Sequence, residues 1–448
     1  MNRFPFLLPF LTTFAVLVPT LPAAPDPALR DAVAKKVAAE YPSLDVLYKE
    51  LHANPELSLM EERTAAIISK ELRAAGYEVV ERFGGHGLVS VLKNGPGPTL
   101  LIRADMDGLP ILEETGLPYA SKRRVKDLAG NDVPVMHGCG HDIHMACFVG
   151  TARTLMALKD RWSGTLVLIG QAAEERGIGA RVMLTEGLYQ KFPKPDFAIA
   201  LHDSATLPAG SVGLIEGFAM ANVDNVDITI RGLGGHGAYP HTTKDPIVLA
   251  ARIISALQTI VSRETRPVDP AVVTIGSIHG GTKHNIIPDE VKLQGTLRSY
   301  SDHVRKHTIE ALRRICRGEA IAAGLPEERW PIVTIAEAEF TPATYNNPEL
   351  ARRLRSTFVD WLGAANVKPI EAEMGGEDFG RFGKTTDNVP ICLFRVGVVD
   401  PVKYAESQKT GVPLPSLHSS KFAPVPEPTI KTGVTAMSAA ALDLLKKH

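Results

Sequence analysis

Three short segments that are almost entirely apolar set the strongest constraint on how this chain can fold. Residues 99–104, 164–169 and 197–201 are bounded by turn residues, and stretches with helical periodicity lie between them. Apolar runs of this length are typical of strands that are buried on both faces, and their alternation with helices is typical of a parallel sheet. The pattern predicts an α/β domain with a mostly parallel sheet flanked by helices.

Polar groups capable of catalysis follow each of these strands. Asp105 and Asp107 come after the first strand, Glu174 and Glu175 after the second, and His202 after the third. In open α/β sheets, sites are built where the carboxyl ends of the strands meet. We therefore expect these side chains to lie at one edge of the sheet.

A glycine-rich stretch at residues 136–144 carries a further pair of metal-binding groups. Its sequence is Met-His-Gly-Cys-Gly-His-Asp-Ile-His, in which Cys139 and His141 are two positions apart. Side chains at that spacing point apart in a helix but can converge in a turn. A thiolate together with an imidazole suits a divalent transition metal such as zinc. Taken alone, the stretch also fits a polar loop without a metal.

The candidate metal ligands outnumber the positions around one tetrahedral ion. They are one thiolate, one carboxylate and three imidazoles: Cys139, Glu175, His141, His202 and His418. Five donors suit two divalent cations that share ligands, with water in the remaining positions. Glu174 is the natural general base for that water, although a carboxylate pair at a helix start also fits a solvated surface. The thiolate favours zinc, the carboxylate leaves manganese open, and cobalt or nickel also fit.

Residues 220–339 follow a different pattern from the rest of the chain. The predicted elements run in the order strand, helix, strand, strand, helix, strand, which is the layout of a split βαβ, ferredoxin-like α+β domain. We interpret this segment as an inserted lid. The catalytic domain then consists of residues 25–219 and 340–448, and residues 341–348 form a stiff hinge between the two domains.

Three residues of the lid are candidates for contacts with a substrate. His236 stands among glycines that allow another chain or a substrate to approach closely, and its ring could donate to an oxyanion. Arg298 stands at a strand end, where a guanidinium can hold a carboxylate with two hydrogen bonds. Asn285 is the third candidate. Each of the three also fits an exposed surface position without a function.

The N-terminal segment predicts export. Residues 4–18 follow Arg3 and are nearly all apolar, and small residues and prolines continue to Ala24. This arrangement is typical of a signal peptide, which we place at residues 1–24. A membrane anchor is disfavoured because the apolar run is short and contains prolines. We therefore expect a secreted or periplasmic protein without a stable membrane anchor.

The cysteines and the net charge narrow the class of protein further. Cys147, Cys316 and Cys392 lie in predicted helices or strands, which favours buried free thiols, although a disulfide between Cys147 and Cys392 stays open. Lys and Arg number 49 against 50 Asp and Glu, so the formal charge is -1. Without a basic surplus, nothing in the sequence indicates binding to nucleic acid.

Taken together, these motifs resemble the amidohydrolase branch of the aminoacylase/carboxypeptidase metallopeptidase family, which includes hippurate hydrolases and hydrolases of auxin–amino acid conjugates. The matching segments run in family order, at residues 51–58, 103–110, 136–142, 173–175, 234–236, 285–289, 375–379 and 417–418. Two features depart from the family pattern. Residues 171–175 lack the usual proline, and residues 122–133 form an extended charged loop that puts the preference for the acyl group in question.

The resemblance implies a role for individual residues. The five candidate ligands would hold two metal ions per subunit, and Glu174 would be the general base. His236 would steady the tetrahedral intermediate, often from the partner in a homodimer formed through the lid. Asn285 and Arg298 would be candidates for binding the substrate's carboxylate.

The function expected from these observations is hydrolysis of the amide bond of N-acyl amino acids or short peptides by a metal-bridged water. Two alternatives remain. One is an exported carboxypeptidase or dipeptidase, and the other is a homologue that binds metal but lacks catalysis. Glu174, the candidate base, argues against the second alternative.

Overall fold

Two β-sheets organise the chain. The computed structural model describes residues 26–447, so the predicted signal peptide at residues 1–24 lies outside the described residues. Elements from both ends of the chain form an eight-stranded sheet, and the elements between them form a four-stranded sheet that falls within residues 220–339.

The bounds of the elements are as follows. The helices are α1 (Pro27–Ala53), α2 (Glu62–Ala74), α3 (His141–Ala157), α4 (Gly179–Thr185), α5 (Leu188–Lys191), α6 (Pro246–Thr259), α7 (Asp302–Ala322), α8 (Pro348–Leu362), α9 (Gly380–Gly383), α10 (Pro401–Thr410) and α11 (Pro426–Leu444). The strands are β1 (Val79–Glu81), β2 (Leu88–Asn94), β3 (Thr99–Asp105), β4 (Arg124–Lys126), β5 (Asp132–Pro134), β6 (Gly164–Gln171), β7 (Phe197–Pro208), β8 (Val212–Leu214), β9 (Gly217–Met220), β10 (Asn222–Arg231), β11 (Gly235–His236), β12 (Ala271–Gly280), β13 (Ile286–Ile287), β14 (Glu290–Ser299), β15 (Ile332–Ile335), β16 (Thr344–Asn346), β17 (Val367–Pro369) and β18 (Ile391–Val399).

The large sheet has the strand order β1-β2-β6-β3-β7-β18-β8-β17. Its centre, from β6 through β3 and β7 to β18, is parallel, and antiparallel pairs occur between β1, β2 and β6 and between β18 and β8. The three apolar segments of the sequence are β3, β6 and β7, which are neighbours in this order. The predicted mostly parallel α/β sheet is therefore confirmed.

Side chains of a strand point alternately to the two faces of a sheet, and in the central strands both sets are apolar. Helices therefore cover both faces of the large sheet. Leu100 and Ile102 of β3 pack in a core with α1, α3, α8 and α11, whereas Leu101 packs on the other face with α4, α5 and α9. Full burial of one such side chain contributes about 1.5–3 kcal/mol. This two-sided core holds the strand ends that carry the site.

The lid is a four-stranded antiparallel sheet with the strand order β12-β14-β10-β15. Along the chain its elements alternate as β10, α6, β12, β14, α7 and β15, and both helices pack on the same apolar core. β12 is an edge strand of this sheet. The antiparallel pair of β9 and β16 lies where the chain enters and leaves the lid.

One local prediction differs from the structure, and one helix was not predicted. Residues 122–133 are not an extended loop, because β4 and β5 pair as an antiparallel hairpin. The Asp127 carboxylate closes the hairpin turn by accepting the amides of Ala129 and Asn131, which is the usual role of aspartate in a turn. Helix α10 was not expected; its N-terminus is capped by Asp400, and its side chains are not buried.

The cysteine prediction is confirmed. Cys147, Cys316 and Cys392 are buried free thiols on α3, α7 and β18. The Cys147 thiol lies 3.8 Å from the Ile430 carbonyl oxygen, and no disulfide joins it to Cys392.

Among residues 26–447, one helical stretch is long and apolar enough to cross a membrane, by length and composition only. This stretch, Pro246–Glu264, is α6 with a short π-helical turn after it, and 33% of its most apolar part is buried. Leu249, Ile253 and Leu257 face the core of the lid. Ile247 and Val248 lie on the exposed side.

Candidate metal centre

A tight turn at the start of α3 brings Cys139 and His141 to the same place. Gly140 between them has a φ of 70°, a conformation that favours glycine. A Cβ at Gly140 would lie only 2.1 Å from Asp203 Oδ2, so no larger residue fits there. His141 is the first residue of α3 and is fully buried. The backbone of this turn therefore allows the side chains of Cys139 and His141 to converge, as the sequence predicted.

The five predicted ligands come together at the carboxyl edge of the large sheet. Cys139 Sγ lies 3.7 Å from His202 Nε2 and 3.3 Å from His418 Nε2. Glu175 Oε1 lies 3.4 Å from His418 Nε2 and 3.9 Å from His141 Nε2. Cys139, His141 and His202 form one group of donors within 4.8 Å of one another, and Cys139, Glu175 and His418 form a second. Two neighbouring cations that share ligands fit these two groups.

His418 reaches the cluster from the C-terminal part of the chain. Its φ of 64° is unusual for a residue that carries a Cβ. Its amide donates to the Gly138 carbonyl at 2.8 Å, which ties this segment to the turn of Cys139. The side chain remains about half exposed, at 53%, so the cluster opens to solvent on this side.

Two donor atoms of the cluster lack a partner that the described chain supplies. His141 Nε2 and Glu175 Oε1 are buried without a hydrogen-bond partner within the described chain, whereas His141 Nδ1 lies 3.4 Å from Asp107 Oδ1. A buried polar group without a partner is costly, and a cation bound between His141 Nε2 and Glu175 Oε1 would satisfy both atoms. His202 Nδ1 lies 2.9 Å from the Asp203 carbonyl oxygen, so its Nε2 is free to bind a cation. The residues therefore fit two divalent metal ions.

Glu174 lies beside this cluster. Its side chain is buried, and its Oε2 atom lies 3.9 Å from His141 Nε2. Burial, and then the negative charges of Glu377 and Glu175, hold the pKa of Glu174 well above its usual range. Bound cations would act in the opposite direction and favour the ionised carboxylate.

A network of buried charged side chains lies next to the candidate ligand His141. His144 Nδ1 lies 2.6 Å from Asp105 Oδ1, and Asp105 Oδ2 lies 2.5 Å from the Arg103 guanidinium. Arg103 also donates to Glu377 at 2.9 Å and to Asp378 at 3.2 Å. These three carboxylates hold the pKa of Arg103 above its usual value despite burial. The network joins β3 to the segment after β17.

Arg103, His144, Glu377 and Asp378 were not predicted as site residues, whereas Asp105 was expected at this edge of the sheet. No local pattern indicated that Glu377 would meet the acidic residues at the end of β3. His144 stands one helical turn after His141, a spacing that places two side chains on one face of a helix. This spacing was the one available signal for His144.

A second buried cluster lies close to the turn of the metal ligands. His52 of α1 has its Nδ1 atom 2.6 Å from Asp142 Oδ2 and its Nε2 atom 3.0 Å from Glu113 Oε1. All three side chains are buried. Burial alone would lower the pKa of His52, but the hydrogen bonds to both carboxylates raise it to about 10. His52 is therefore an imidazolium, and its hydrogen bond holds the side chain of Asp142, the residue after His141, in place.

The group of candidate metal ligands opens into a cavity of about 520 Å³ between the catalytic domain and the lid. Cys139, Glu174 and His202 lie in the wall on one side. Arg298 lies in the lid wall, where its Nη1 atom donates to the Met374 carbonyl at 2.8 Å. Among the described residues, no acidic side chain pairs with this guanidinium, so it is free to bind an anion.

His236 and Asn285 lie outside this cavity. His236 is part of β11, which pairs with β13, and Asn285 directly precedes β13; the Gly237 amide donates to the Asn285 carbonyl at 2.9 Å. Both side chains are exposed. Within the described chain the structure thus places Arg298 in the cavity beside the candidate metal ligands, but not the other two lid candidates.

A parallel α/β sheet that carries a thiolate, a carboxylate and three imidazoles at its carboxyl edge, with a further carboxylate beside them, defines a metal-dependent hydrolase. The model of the Peptidase family M20/M25/M40 matches residues 101–418. The chain therefore belongs to this family, and it is a metal-dependent hydrolase of amide bonds. The predicted resemblance is confirmed.

Relatives of known name share most of the length of the chain. Thermostable carboxypeptidase 2 of Saccharolobus solfataricus is 36% identical over 403 residues, which cover 89% of this chain and 94% of that protein. Hippurate hydrolase of Campylobacter jejuni is 37% identical over 341 residues, covering 74% and 83%. The crystal structure of the YxeP protein of Bacillus subtilis, described as a dinuclear metal binding peptidase, matches with a TM-score of 0.70 at 28% identity and covers 91% of this chain and 99% of that one.

Proposed function

We propose that this protein hydrolyses N-acyl amino acids, with Glu174 as general base and acid at a centre of two divalent metal ions. The observation that carries the proposal is the position of Glu174, buried between the cluster of metal-binding donors and the cavity. A cavity of about 520 Å³ is in the range of sites for small molecules. It suits one amino acid with a modest acyl group better than a long peptide.

The metal ions would be held by Cys139, His141, Glu175, His202 and His418. Zinc or manganese fits this mixture of soft and hard donors, and cobalt or nickel is also compatible. When bound, divalent ions lower the pKa of water and polarise a carbonyl group.

The side chain of Glu174 moves the proton in the proposed reaction. Its carboxylate accepts a proton from the attacking water, and the resulting carboxylic acid donates it to the nitrogen of the departing amine. The buried position keeps bulk water away from this carboxyl group.

Arg298 is proposed to bind the free carboxylate of the amino acid. It lines the same cavity as the metal-binding groups, in the lid wall, and its hydrogen bond to the Met374 carbonyl fixes one side of the guanidinium. The remaining N–H groups can donate to an anion. A substrate bound in this way spans from the lid to the metal centre, so its amide bond lies between them.

We further propose a homodimer formed through the lid. The edge strand β12 carries the exposed Ile278, and α6 exposes Ile247 and Val248. An unpaired strand edge beside exposed apolar residues favours association with another chain. A second copy would also account for His236 and Asn285, which lie outside the cavity of their own chain and would contact the substrate of the partner.

Export to the cell exterior or periplasm is part of the same proposal. It is supported by the composition of residues 4–18 and by the small residues that follow them. Within this proposal the exposed apolar face of α6 serves the dimer and not a membrane. Fractionation of cells that express the full chain, with and without residues 1–24, tests the location.

A carboxypeptidase or dipeptidase is the second candidate, and the relation to thermostable carboxypeptidase 2 favours it. The two candidates differ in the group on the nitrogen side of the scissile bond. An N-acetyl or N-benzoyl amino acid presents an uncharged acyl group, whereas a dipeptide presents a free ammonium. A carboxylate in the cavity wall could bind such an ammonium group. Glu339 lies in this wall, but its carboxylate already accepts a hydrogen bond from the Asn225 side chain.

A hydrolysis screen decides between these candidates. The purified chain is loaded with zinc or with manganese and tested on matched pairs, such as N-acetyl-leucine against alanyl-leucine and hippurate against glycyl-glycine. The proposal predicts higher kcat/KM for the acylated member of each pair. Preference for the dipeptides would favour the second candidate, and no turnover of either class would refute both.

A further inference from the structure

Three successive backbone amides hold the turn that carries Glu174 and Glu175. The Ala173 amide donates to Glu61 Oε1 at 2.7 Å. The Glu174 amide donates to Asp107 Oδ1 at 3.2 Å, and the Glu175 amide donates to Asp107 Oδ2 at 3.0 Å. We call these three hydrogen bonds the amide clamp.

The backbone within the amide clamp adopts an unfavourable conformation. Ala173 has a φ of 53°, which residues with a Cβ rarely adopt. Such a conformation persists only where the surroundings determine it. The Ala173 amide donates to Glu61, and the Ala173 carbonyl accepts the Gly179 amide at 3.2 Å.

Glu61 is well placed to impose this conformation. It precedes α2, lies 112 positions before Ala173 in the chain, and is fully buried. The same Oε1 atom accepts the Leu59 amide at 3.0 Å, which orients the carboxyl group toward the turn. Oε2 has no hydrogen-bond partner within the described chain. Within the described chain, Oε1 is therefore the side-chain atom of Glu61 that accepts hydrogen bonds.

Asp107 completes the support on the other side. Ser58 donates to its Oδ2 atom at 2.6 Å, and the Gly108 amide donates to the Glu56 carbonyl at 2.7 Å. Residues 56–61 and the residues that follow β3 are therefore hydrogen-bonded to each other beneath the turn. Both of these segments lie far from the turn in the sequence.

From this arrangement we infer that Glu61 is a positioning residue for Glu174 and Glu175. Its Oε1 atom holds Ala173 in the left-handed conformation, and this conformation points the next two carboxylates at the metal centre and the substrate. Glu61 touches neither substrate nor metal and acts only through the backbone. The inference rests on the proposed roles of Glu174 and Glu175.

Two variants of similar size separate the acceptor from packing and charge. Glu61→Gln retains a carbonyl oxygen that can accept both amides, whereas Glu61→Met fills the same space without an acceptor. A displacement of catalytic groups by about 1 Å can cost about 100-fold in rate. We expect kcat for N-acyl amino acids to fall about 100-fold in Glu61→Met and to stay within about 5-fold of wild type in Glu61→Gln.

Glu56 provides a matched control within the same segment. Its buried carboxylate also accepts backbone amides, those of Arg63 and Thr64, but it does not contact the turn at residues 173–175. Glu56→Met should lower the thermal midpoint about as much as Glu61→Met, with kcat within about 3-fold of wild type. An equal loss of kcat in both variants would show that Glu61 serves stability alone.

The visible spectrum of the cobalt-loaded protein gives a readout that does not need turnover. Because Glu175 is a proposed ligand, Glu61→Met should alter the intensity and position of the cobalt bands, and Glu61→Gln should keep the wild-type spectrum. Identical spectra in all three proteins would overturn the inference. If wild type hydrolyses no N-acyl amino acid, the proposed function fails, while the spectra still test the amide clamp.

A milder variant covers the case in which Glu61→Met does not fold. Glu61→Asp keeps the charge but withdraws the acceptor by one methylene group. Its kcat should be lower than that of Glu61→Gln, which has the acceptor without the charge. If Glu61→Asp were the more active of the two, the charge and not the position of Oε1 would be required, and the inference would be wrong.

Discussion

Replacing His52 with leucine removes a buried cation that joins α1, the start of α3 and the segment before the β4–β5 hairpin. The titratable groups that face His52 are Asp142, Glu113, Tyr48, Tyr119 and His137. The hydrogen bonds to His52 outweigh burial and lower the pKa of both carboxyl groups. Without the imidazolium, two buried carboxylates lose their partner, a change that costs about 3–5 kcal/mol.

The pH dependence of this effect has a defined sign. The pKa of His52 is about 10 in the fold against an ordinary value of 6.5, a difference that corresponds to ~5 kcal/mol. Because the folded-state pKa is raised, this stability is fully present below pH 6.5 and is lost as the pH rises toward 10. Between pH 7 and 9, wild type should lose ~2–3 kcal/mol relative to His52→Leu.

Urea unfolding followed by tryptophan fluorescence measures this difference. The experiment is run in EDTA, so that bound metal does not add to stability. His303→Leu, at an exposed histidine of α7, is the control and should differ from wild type by less than about 0.5 kcal/mol. A gap between wild type and His52→Leu below about 1 kcal/mol at pH 7, or one that stays constant up to pH 9, would refute the account of a buried imidazolium.

Three further predictions concern the cavity, the network beneath it and the lid. Arg298→Ala should raise KM about 10–100-fold for N-acyl amino acids, because a charged hydrogen bond contributes about 1.5–3 kcal/mol; an equal rise for the methyl esters would exclude a carboxylate contact. Arg103→Met should cost at least about 3–5 kcal/mol of unfolding free energy, because three buried carboxylates lose their cation. A shift below about 1 kcal/mol in urea unfolding would show that the network adds little. Ile278→Lys places a charge on the exposed edge strand β12 and should convert a dimer into a monomer in light scattering. An unchanged mass for that variant would place the dimer interface elsewhere or exclude the dimer.

The sequence predicts the centre of the fold well because the relevant signals are local. The apolar runs that became β3, β6 and β7 carry their burial pattern within five or six residues, and the order of elements in the lid follows from alternation alone. The turn at residues 136–142 likewise contains its own glycines. Such features depend on neighbours in the chain, so they can be recognised before any contact is known.

The parts of the site that the sequence could not predict are contacts between distant segments. Arg103 meets Glu377 across 274 positions, and Glu61 meets Ala173 across 112. These pairs depend on the packing of whole elements, and no periodicity marks them. The positions of His236 and Asn285 outside the cavity also follow from the lid's orientation, which no local pattern encodes.

The central claim is that Glu174 transfers protons at a centre that holds two metal ions. The most direct test combines metal analysis with kinetics for Glu174→Gln, using Glu186→Gln, outside the cavity, as the control. We predict two divalent ions per chain in both variants and a loss of about 10²–10⁴-fold in kcat for Glu174→Gln alone. Normal turnover by Glu174→Gln with both ions bound would contradict the account.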